Sequence, residues 1–264
     1  MTNIILKINN LTGGYNQEAI VKNVSLEINS GDFLGIIGPN GSGKTTLLRL
    51  ASRILVPQKG DIELEGRDIN KISLKSFCQR MAFVSQDTTI NFSFSVWEIV
   101  LMGRIPHLKR MQLETKNDFQ AAETALLMTD TLHLRDKKID ELSSGERQRV
   151  FIAKALAQEP DILLLDEPTS HLDIGHQIQV LDLLMKLNKN NKLTIVMVLH
   201  DLNLASSYCN HIALFNQGRI FKQGPVDEVL TYQNIEAVYK TVVVVNRNPI
   251  SSKPYVLLVP GENK

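Results

Sequence analysis

The chain has 264 residues, of which 43% are hydrophobic and 22% charged, and its formal net charge is +1. This composition is that of an ordinary globular protein, and so small a net charge gives no general attraction to nucleic acid or to anionic lipid. The two cysteines, Cys78 and Cys209, lack Cys-x-x-Cys spacing, which favours a reducing, cytoplasmic setting over a disulfide framework.

The lengths of the apolar segments indicate whether the chain could span a membrane or carry a signal peptide. The longest apolar run, residues 193–199, is far too short to cross a bilayer. Residues 1–7 lack the long apolar stretch of a signal peptide. We therefore expect any membrane role to depend on partner proteins.

The first third of the chain predicts strands joined by turns. Apolar and polar residues alternate there, as in half-buried strands, or run continuously, as in buried ones. These patterns predict strands at residues 4–9, 19–28, 33–37, 61–65 and 81–85.

The middle of the chain has a helical period instead. Apolar residues at three- and four-residue intervals predict helices at residues 95–102 and 117–134, with a polar, basic loop around residues 106–110 between them. Ser143-x-x-Glu146 has the pattern of a capping box, which predicts a further helix starting at Ser143.

Strands return in the last part of the chain. Residues 162–165 and 193–198 are continuous apolar runs, the type found in parallel sheets that are covered on both faces, and a helix is predicted near residues 175–188. Residues 212–222 predict a hairpin. The tail, from Thr241 onward, predicts two short strands around a turn.

A phosphate-binding motif occupies residues 38–45. The run Gly38-Pro-Asn-Gly-Ser-Gly-Lys-Thr45 fits G-x-x-x-x-G-K-[ST] and lies between a predicted strand and a predicted helix, as the motif requires. Backbone N–H groups and the helix N-terminus would face phosphate oxygens. Lys44 would reach the β- and γ-phosphates, and the Thr45 hydroxyl would bind Mg²⁺. The loop by itself predicts the use of MgATP or MgGTP.

Two acidic residues follow the apolar run 162–165. Asp166 and Glu167 come at the carboxyl end of that strand, where ligands sit in open parallel sheets. Asp166 is predicted to hold Mg²⁺, directly or through water, and Glu167 to act as the general base for the attacking water. The sequence thus predicts an α/β nucleoside triphosphatase with a P-loop core and a mixed, mainly parallel sheet.

Two further motifs resemble those of a known family. Leu142-Ser-Ser-Gly-Glu-Arg-Gln-Arg149 lies just upstream of Asp166-Glu-Pro-Thr-Ser-His-Leu-Asp173, and with the phosphate loop they resemble the ATPase subunits of ABC transporters over nearly the whole chain. The resemblance implies an ATP-binding core with an N-terminal antiparallel β part (1–86 and 159–240), an inserted helical signature subdomain (87–158) and a C-terminal β tail (241–264).

The resemblance implies roles residue by residue. Gln86 matches the loop glutamine that senses the γ-phosphate and touches the transmembrane partner, and His200 matches the switch histidine that contacts the γ-phosphate. Tyr15 matches the aromatic residue that stacks on adenine. The implied ATP-binding set is Tyr15, Gly38, Pro39, Asn40, Gly41, Ser42, Gly43, Lys44, Thr45 and Thr46. The implied catalytic residues are Glu167, His200 and Gln86, and the implied Mg²⁺ ligands are Thr45, Gln86 and Asp166.

Another loop is implied to act on the nucleotide of a second subunit. Ser143, Ser144, Gly145 and Glu146 match the signature loop, which in this family caps the γ-phosphate of ATP held by the other subunit. This chain departs from the commoner L-S-G-G-Q, because Ser144 replaces a Gly and Glu146 replaces the Gln. Asp173 matches the residue that couples the two nucleotide sites across a head-to-tail dimer of two copies.

The segment Ser95–His107 resembles that of ATPases in importers for siderophores, haem and vitamin B12. It implies a peripheral protein on the cytoplasmic face of the inner (cell) membrane, with two transmembrane permease subunits and, indirectly, a periplasmic or surface substrate-binding protein. A groove between residues 86 and 110 would dock a permease helix. Phe92, Phe94 and Trp97 would supply apolar contacts there or belong to the core.

Other readings compete with the importer ATPase. One is a soluble ABC ATPase that works without a permease, and another is an ABC transporter subunit for a different cargo. A third is an unrelated GTPase, but the chain lacks a guanine-reading Asn/Thr-Lys-x-Asp motif after a strand and has a signature loop that GTPases do not use.

Overall fold

The computed structural model describes residues 3–16, 18–86 and 92–261. The chain divides by compactness into two units, Met1–Ile69 with Thr194–Lys264, here the first unit, and Asn70–Leu193, here the second unit. Residues 87–91, which begin the predicted helical insertion, lie outside the described residues. In the described ranges, no helix has both the length and the hydropathy that crossing a bilayer would require.

The elements follow one another with strands and helices mixed. Residues 1–69 contain β1 (Ile4–Tyr15), β2 (Glu18–Asn29), β3 (Phe33–Ile37), α1 (Lys44–Ala51), β4 (Lys59–Leu64) and β5 (Arg67–Asp68). Residues 70–193 contain α2 (Leu74–Arg80), β6 (Met81–Val84), α3 (Val96–Leu101), α4 (Lys116–Met128), α5 (Ser144–Leu156), β7 (Ile162–Asp166) and α6 (Ile174–Asn191). Residues 194–264 contain β8 (Thr194–Val198), α7 (Leu202–Tyr208), β9 (His211–Asn216), β10 (Arg219–Pro225), α8 (Val226–Val229), α9 (Tyr232–Tyr239), β11 (Val243–Arg247) and β12 (Pro254–Leu258).

The first unit contains three sets of paired strands. β2, β1, β4 and β5 form an antiparallel sheet in that order. β3 lies between β8 and β9 and is parallel to both, while β10 pairs antiparallel with β9. β11 and β12 form the antiparallel pair predicted for the tail. The mixed, mainly parallel sheet with a separate antiparallel part confirms the predicted α/β fold class.

The second unit combines a parallel strand pair with helices. β6 runs parallel to β7, with Val84 opposite Leu165. α3, α4 and α5 share a cluster of buried side chains that includes Val96, Ile99 and Leu126. These apolar residues recur at helical spacing, which is why the sequence predicted the helices here.

Some element boundaries differ from the sequence prediction. The helix predicted at residues 117–134 ends as α4 at Met128, because Thr129 bonds back to the carbonyl of Ala125 at 3.0 Å and Asp130 adopts a left-handed φ of 54°. The loop predicted around residues 106–110 is wrong in its first part, where Pro106 and His107 belong to a 3₁₀ helix at Met102–His107. Neither change alters the order of strands and helices.

Four short helices in the described residues were absent from the sequence prediction, namely α2, α7, α8 and α9. α2, α7 and α9 each begin at a side-chain cap, formed by Ser73, Asp201 and Thr231 respectively, and such caps are readable in a sequence. α8 follows Pro225 without a side-chain cap. None of the four has more than eight residues, too few for an apolar period to be clear.

A buried ion pair holds the 3₁₀ segment against α4. The side chains of Arg104 and Asp118 are 6% and 7% exposed, and Arg104 Nε lies 3.0 Å from Asp118 Oδ1. Arg104 Nη1 also donates to the carbonyl of Ala157 at 2.5 Å and to Glu159 Oε2 at 2.7 Å. Burial raises the pKa of Asp118, but hydrogen bonds from Thr115 and Arg104 outweigh it and lower the pKa to about 2.

We expect Arg104→Ala to destabilise the second unit by about 3–5 kcal/mol, because it leaves the Asp118 carboxylate buried and unpaired. The wild-type contribution should be present above pH 3.8, the ordinary pKa of Asp118, and be lost as the pH falls toward the folded-state pKa of about 2. Urea unfolding at neutral and acid pH measures both effects. Arg110→Ala, which truncates an exposed arginine, is the control. Equal stability of the two variants would contradict the assignment.

Candidate nucleotide-binding and hydrolysis site

The phosphate-binding motif forms a tight loop between β3 and α1. Gly38 has a φ of 148°, and a Cβ atom at this position would lie 2.3 Å from the carbonyl oxygen of Phe215. Gly43 has a φ of 104° and is the N-cap of α1. Since L side chains rarely adopt such φ values, glycine is required at both bends of the loop.

Lys44 starts α1 and folds back over the loop. It is only 5% exposed, and its Nζ donates to the carbonyls of Gly38 and Pro39 at 2.9 and 3.0 Å. Among the described residues, no side chain caps α1, and its first turn contains no acidic residue. The helix N-terminus and the ammonium group therefore both favour an anion at this loop.

Ser42 ties the loop to the β9–β10 turn. Its carbonyl accepts from Gly218 N at 2.9 Å, and the Gly218 carbonyl accepts from Lys22 N at 2.7 Å. The Ser42 hydroxyl is buried and has no hydrogen-bond partner within the described part of the chain. A buried hydroxyl without a partner calls for an explanation, and a phosphate oxygen bound in the loop would supply the missing acceptor.

The predicted adenine-stacking residue is anchored to α1. Tyr15, at the end of β1, accepts a hydrogen bond through its hydroxyl from Arg49 Nη1 at 2.8 Å. Thr45 and Thr46 lie in the first turn of α1, where Thr46 is buried and Thr45 half-buried. The first unit thus contains all ten residues of the predicted ATP-binding set.

His200 leaves the sheet beside the phosphate loop. β3 and β8 are parallel, with Ile36 opposite Val198, so Gly38 and His200, each two residues farther along, emerge at the same sheet edge. Asp201 caps α7 through bonds from the N–H groups of Asn203 and Leu204 at 2.7 and 2.9 Å, which fixes the backbone next to His200. His200 is exposed, as contact with a bound ligand requires.

The two predicted catalytic residues of the second unit meet in space. β6 and β7 end together, and Gln86 Nε2 donates to Glu167 Oε2 at 2.8 Å. Glu167 has a left-handed φ of 52°, an uncommon conformation for a residue with a side chain and one that is concentrated at functional sites. Asp166 is 2% exposed at the end of β7. The hydrogen bond orients the carboxylate predicted to act as base.

The donor chemistry of the predicted Mg²⁺ ligands fits that ion. Mg²⁺ prefers hard oxygen ligands and typically uses one or two carboxylates together with substrate phosphates. Thr45 offers a hydroxyl, Asp166 a carboxylate, and Gln86 an amide oxygen, since its amide nitrogen is engaged with Glu167. Clusters of three or more His, Cys, Asp or Glu side chains suited to a metal do not occur in residues 3–16, 18–86 and 92–261.

The signature loop forms the start of α5. Ser143 is the N-cap, and its Oγ accepts from Glu146 N at 3.3 Å. Glu146 Oε2 accepts from the N–H and hydroxyl of Ser143 at 2.9 and 2.7 Å, which confirms the predicted capping box. These hydrogen bonds lower the pKa of Glu146, so the carboxylate that replaces the commoner Gln stays charged and turns back onto Ser143. Ser143 and Ser144 are exposed and Gly145 is buried.

Asp173 caps α6 and contacts a histidine that the sequence analysis did not select. Its Oδ1 accepts from His176 N at 2.8 Å, and its Oδ2 lies 2.7 Å from His176 Nδ1. The ring of His176 also packs on Gly145 of the signature loop. The i, i+3 spacing of Asp173 and His176 was visible in the sequence, but nothing local indicated the contact with Gly145.

Comparison with known proteins agrees with these motifs. The sequence profile of the ABC transporter family matches residues 21–170, more than half of the chain. The chain belongs to the ABC transporter family. It is 40% identical over 247 residues to the ferric enterobactin transport ATP-binding protein FepC of Escherichia coli (strain K12), and the match covers 94% of this chain and 91% of FepC.

Solved structures of ABC proteins resemble most of the chain. A structure described as a metal-chelate type ABC transporter in an inward-facing conformation has a TM-score of 0.87 and 32% identity, and the match covers 98% of this chain and 99% of that chain. A dimeric ATP-binding cassette in a post-hydrolysis state, bound to ADP and Pi, has a TM-score of 0.71 and 29% identity, covering 83% and 98% of the two chains. The protein is an ATPase of the ABC family.

Within this ABC ATPase, each unit brings together part of the predicted site. In the first unit the phosphate loop leads into α1, His200 emerges at the same sheet edge as that loop, and Tyr15 is bonded to Arg49 in the last turn of α1. In the second unit Gln86 contacts Glu167, and Asp173 is linked through His176 to the signature loop. The individual roles of these residues stay predictions.

Proposed function

We propose that this ABC ATPase binds and hydrolyses MgATP to energise the import of a metal chelate, such as a siderophore, haem or a cobalamin-like compound, through partner permeases. The observation that carries the proposal is the hydrogen bond between Gln86 and Glu167 at 2.8 Å. Gln86, which is predicted to touch the permease, is thereby bonded directly to Glu167, the predicted general base.

Different predicted residues carry out nucleotide binding and hydrolysis. The phosphate loop and Lys44 bind the phosphates, and Tyr15 stacks on adenine. Mg²⁺ neutralises phosphate charge when bound, and Thr45, Gln86 and Asp166 would hold it. Glu167 accepts the proton of the attacking water, and His200 contacts the γ-phosphate and orients the water.

The proposed assembly contains more than one subunit. Two copies bind two ATP molecules at their interface, where Ser143–Glu146 of one copy cap the nucleotide of the other and Asp173 couples the two sites. Support comes from the dimeric form of a similar cassette bound to ADP and Pi. The dimer works on two transmembrane permease subunits and, indirectly, with a periplasmic or surface substrate-binding protein. We place it on the cytoplasmic face of the cell membrane, as a peripheral protein.

The proposed permease contact lies in the helical signature subdomain, for which we keep the boundaries 87–158. Phe92 is 71% exposed, so its ring is available to a partner. Trp97 instead stacks on Phe119 at 6.0 Å, with the Arg135 guanidinium 4.0 Å from the ring centre, which favours a packing role. The part of the proposed groove formed by residues 87–91 lies outside the described residues.

Two relationships support a metal-chelate cargo. FepC, named for ferric enterobactin transport, is similar along 94% of this chain, and the metal-chelate type transporter structure along 98%. The transport path itself belongs to other chains, so the cargo has to be identified by uptake.

Deleting the gene for this protein is expected to abolish uptake of one labelled chelate among ferric siderophore, haem and cobalamin, supplied separately. The wild-type gene should restore uptake, and a Glu167→Gln copy should not, because transport needs the hydrolysis step. Unimpaired uptake of all three compounds, alongside a defect for a sugar or an amino acid, would reject the cargo and leave the ATPase assignment standing. No transport defect of any kind would favour a soluble ABC ATPase.

A further inference from the structure

His176, in the first turn of α6, contacts two functional segments of the second unit. One is Asp173, the predicted dimer-coupling residue, and the other is Gly145 of the signature loop. The His176 side chain is 35% exposed, so it lies at the surface and not in the core. A surface side chain that contacts both segments is suited to fixing their relative geometry.

The contact with Asp173 uses both carboxylate oxygens. Oδ1 accepts from the backbone N–H of His176 at 2.8 Å, and Oδ2 lies 2.7 Å from Nδ1 of the ring. These bonds lower the pKa of Asp173, so the carboxylate stays charged. Because the ring bond is charge-assisted, it constrains the Asp173 rotamer more than a bond between neutral groups would.

The contact with Gly145 is steric. A Cβ atom at Gly145 would lie 2.3 Å from Cδ2 and 2.7 Å from Cγ of the His176 ring. Gly145 has a helical backbone in the first turn of α5, where alanine has the higher intrinsic propensity. Within one copy of the chain, the ring and not the backbone conformation therefore opposes a methyl group at this position.

A second side-chain contact near His176 connects α5 and α6. Arg149 Nη1 donates to Gln179 Oε1 at 2.8 Å, one turn farther along each helix. His176, Arg149 and Gln179 border one polar cavity of about 690 Å³, together with Ser143 and Glu146. The two helices are thus joined beside the signature loop by polar side chains that could be changed without emptying the core.

We propose that His176 is a positioning residue that holds Asp173 and the Gly145 turn in one fixed arrangement, so that both meet the second subunit together. The inference rests on the proposed function, since it assumes the ATP-bound dimer. It adds to the signature motif a residue outside it, which a side chain at position 145 would meet.

The first test uses ATP-driven dimerisation in a Glu167→Gln background. His176→Ala should raise the ATP concentration needed for half-maximal dimer at least about tenfold, because a hydrogen bond to a charged group is lost in each copy. ATP affinity of the monomer and the urea unfolding midpoint should not change. His176→Asn should recover most of the effect, since its amide can replace Nδ1 as donor to Asp173. His133→Ala is the control, because His133 is exposed and borders the same cavity.

The second test uses the steric contact. Gly145→Ala alone should impair dimerisation as strongly as His176→Ala or more. In the Gly145→Ala/His176→Ala double variant the added methyl group should weaken dimerisation little further, because the ring that it would meet is absent. The inference is overturned if His176→Ala dimerises like the parent, or if Gly145→Ala is equally harmful with and without the ring. If the Glu167→Gln parent itself stays monomeric with saturating ATP, the proposed assembly is wrong and the positioning role falls with it.

Discussion

Glu167→Gln is expected to bind MgATP as tightly as the wild type and to hydrolyse it at least about 100-fold more slowly. The amide has nearly the shape of the carboxylate but cannot take a proton from water. Its carbonyl oxygen can still accept the hydrogen bond that Gln86 donates to Glu167. Binding and chemistry should therefore separate in this variant.

The stalled variant should also accumulate as a dimer with two ATP molecules, because hydrolysis no longer opens the interface. Phosphate release measures the rate, and light scattering with saturating ATP measures the mass. Glu123→Gln changes the same charge at an exposed position of α4 and should behave as wild type. Full hydrolysis by Glu167→Gln would contradict the role of Glu167 as general base. A variant that stays monomeric at all ATP concentrations would contradict the proposed dimer.

Lys44→Ala should act one step earlier, on nucleotide binding itself. Lys44 is 5% exposed, and its ammonium group is held over the phosphate loop by the carbonyls of Gly38 and Pro39. Removing it leaves the phosphates without their one side-chain cation in the loop, and we expect ATP affinity to fall about 100-fold or more. Dimerisation should be lost as a consequence, because the interface contains the nucleotide.

Titration calorimetry with MgATP tests this expectation. Lys59→Ala is the matched control, since Lys59 is an exposed lysine of the first unit on β4. The unfolding midpoint of Lys44→Ala should be measured alongside, to separate weak binding from a collapsed loop. Unchanged affinity in a folded Lys44→Ala protein would contradict the assignment of the phosphate loop.

Local sequence patterns were sufficient for the parts of the site that depend on a short stretch of chain. The loop from Gly38 to Thr45 needs only a strand before it, a helix after it and glycine at its bends. The Ser143–Glu146 capping box likewise closes within four residues, and the structure has it as predicted. Asp166 and Glu167 follow a buried strand, which by itself predicts their position at a sheet edge.

Contacts between distant segments could not be read in this way. The Gln86–Glu167 bond depends on the register of β6 against β7, with Val84 opposite Leu165, and no local pattern specifies which residues of two parallel strands are opposed. The contact between the His176 ring and Gly145 depends on how α5 packs on α6. The Arg104–Asp118 pair was not predicted for a different reason, since Arg104 lies between the predicted helix 95–102 and the predicted basic loop, and charged residues are usually exposed.

The backbone hydrogen bond between Ser42 and Gly218 helps to shape the phosphate loop and so bears on which nucleotide the protein accepts. The loop is shaped by main-chain contacts, and in its predicted role it offers N–H groups and the Lys44 ammonium to phosphate, which ATP and GTP have in common. Tyr15, in its predicted stacking role, offers a ring face while its hydroxyl is engaged by Arg49. A ring face stacks on either purine and reads no donor or acceptor pattern. In these predicted roles, the phosphate loop and the Tyr15 ring would bind ATP and GTP alike.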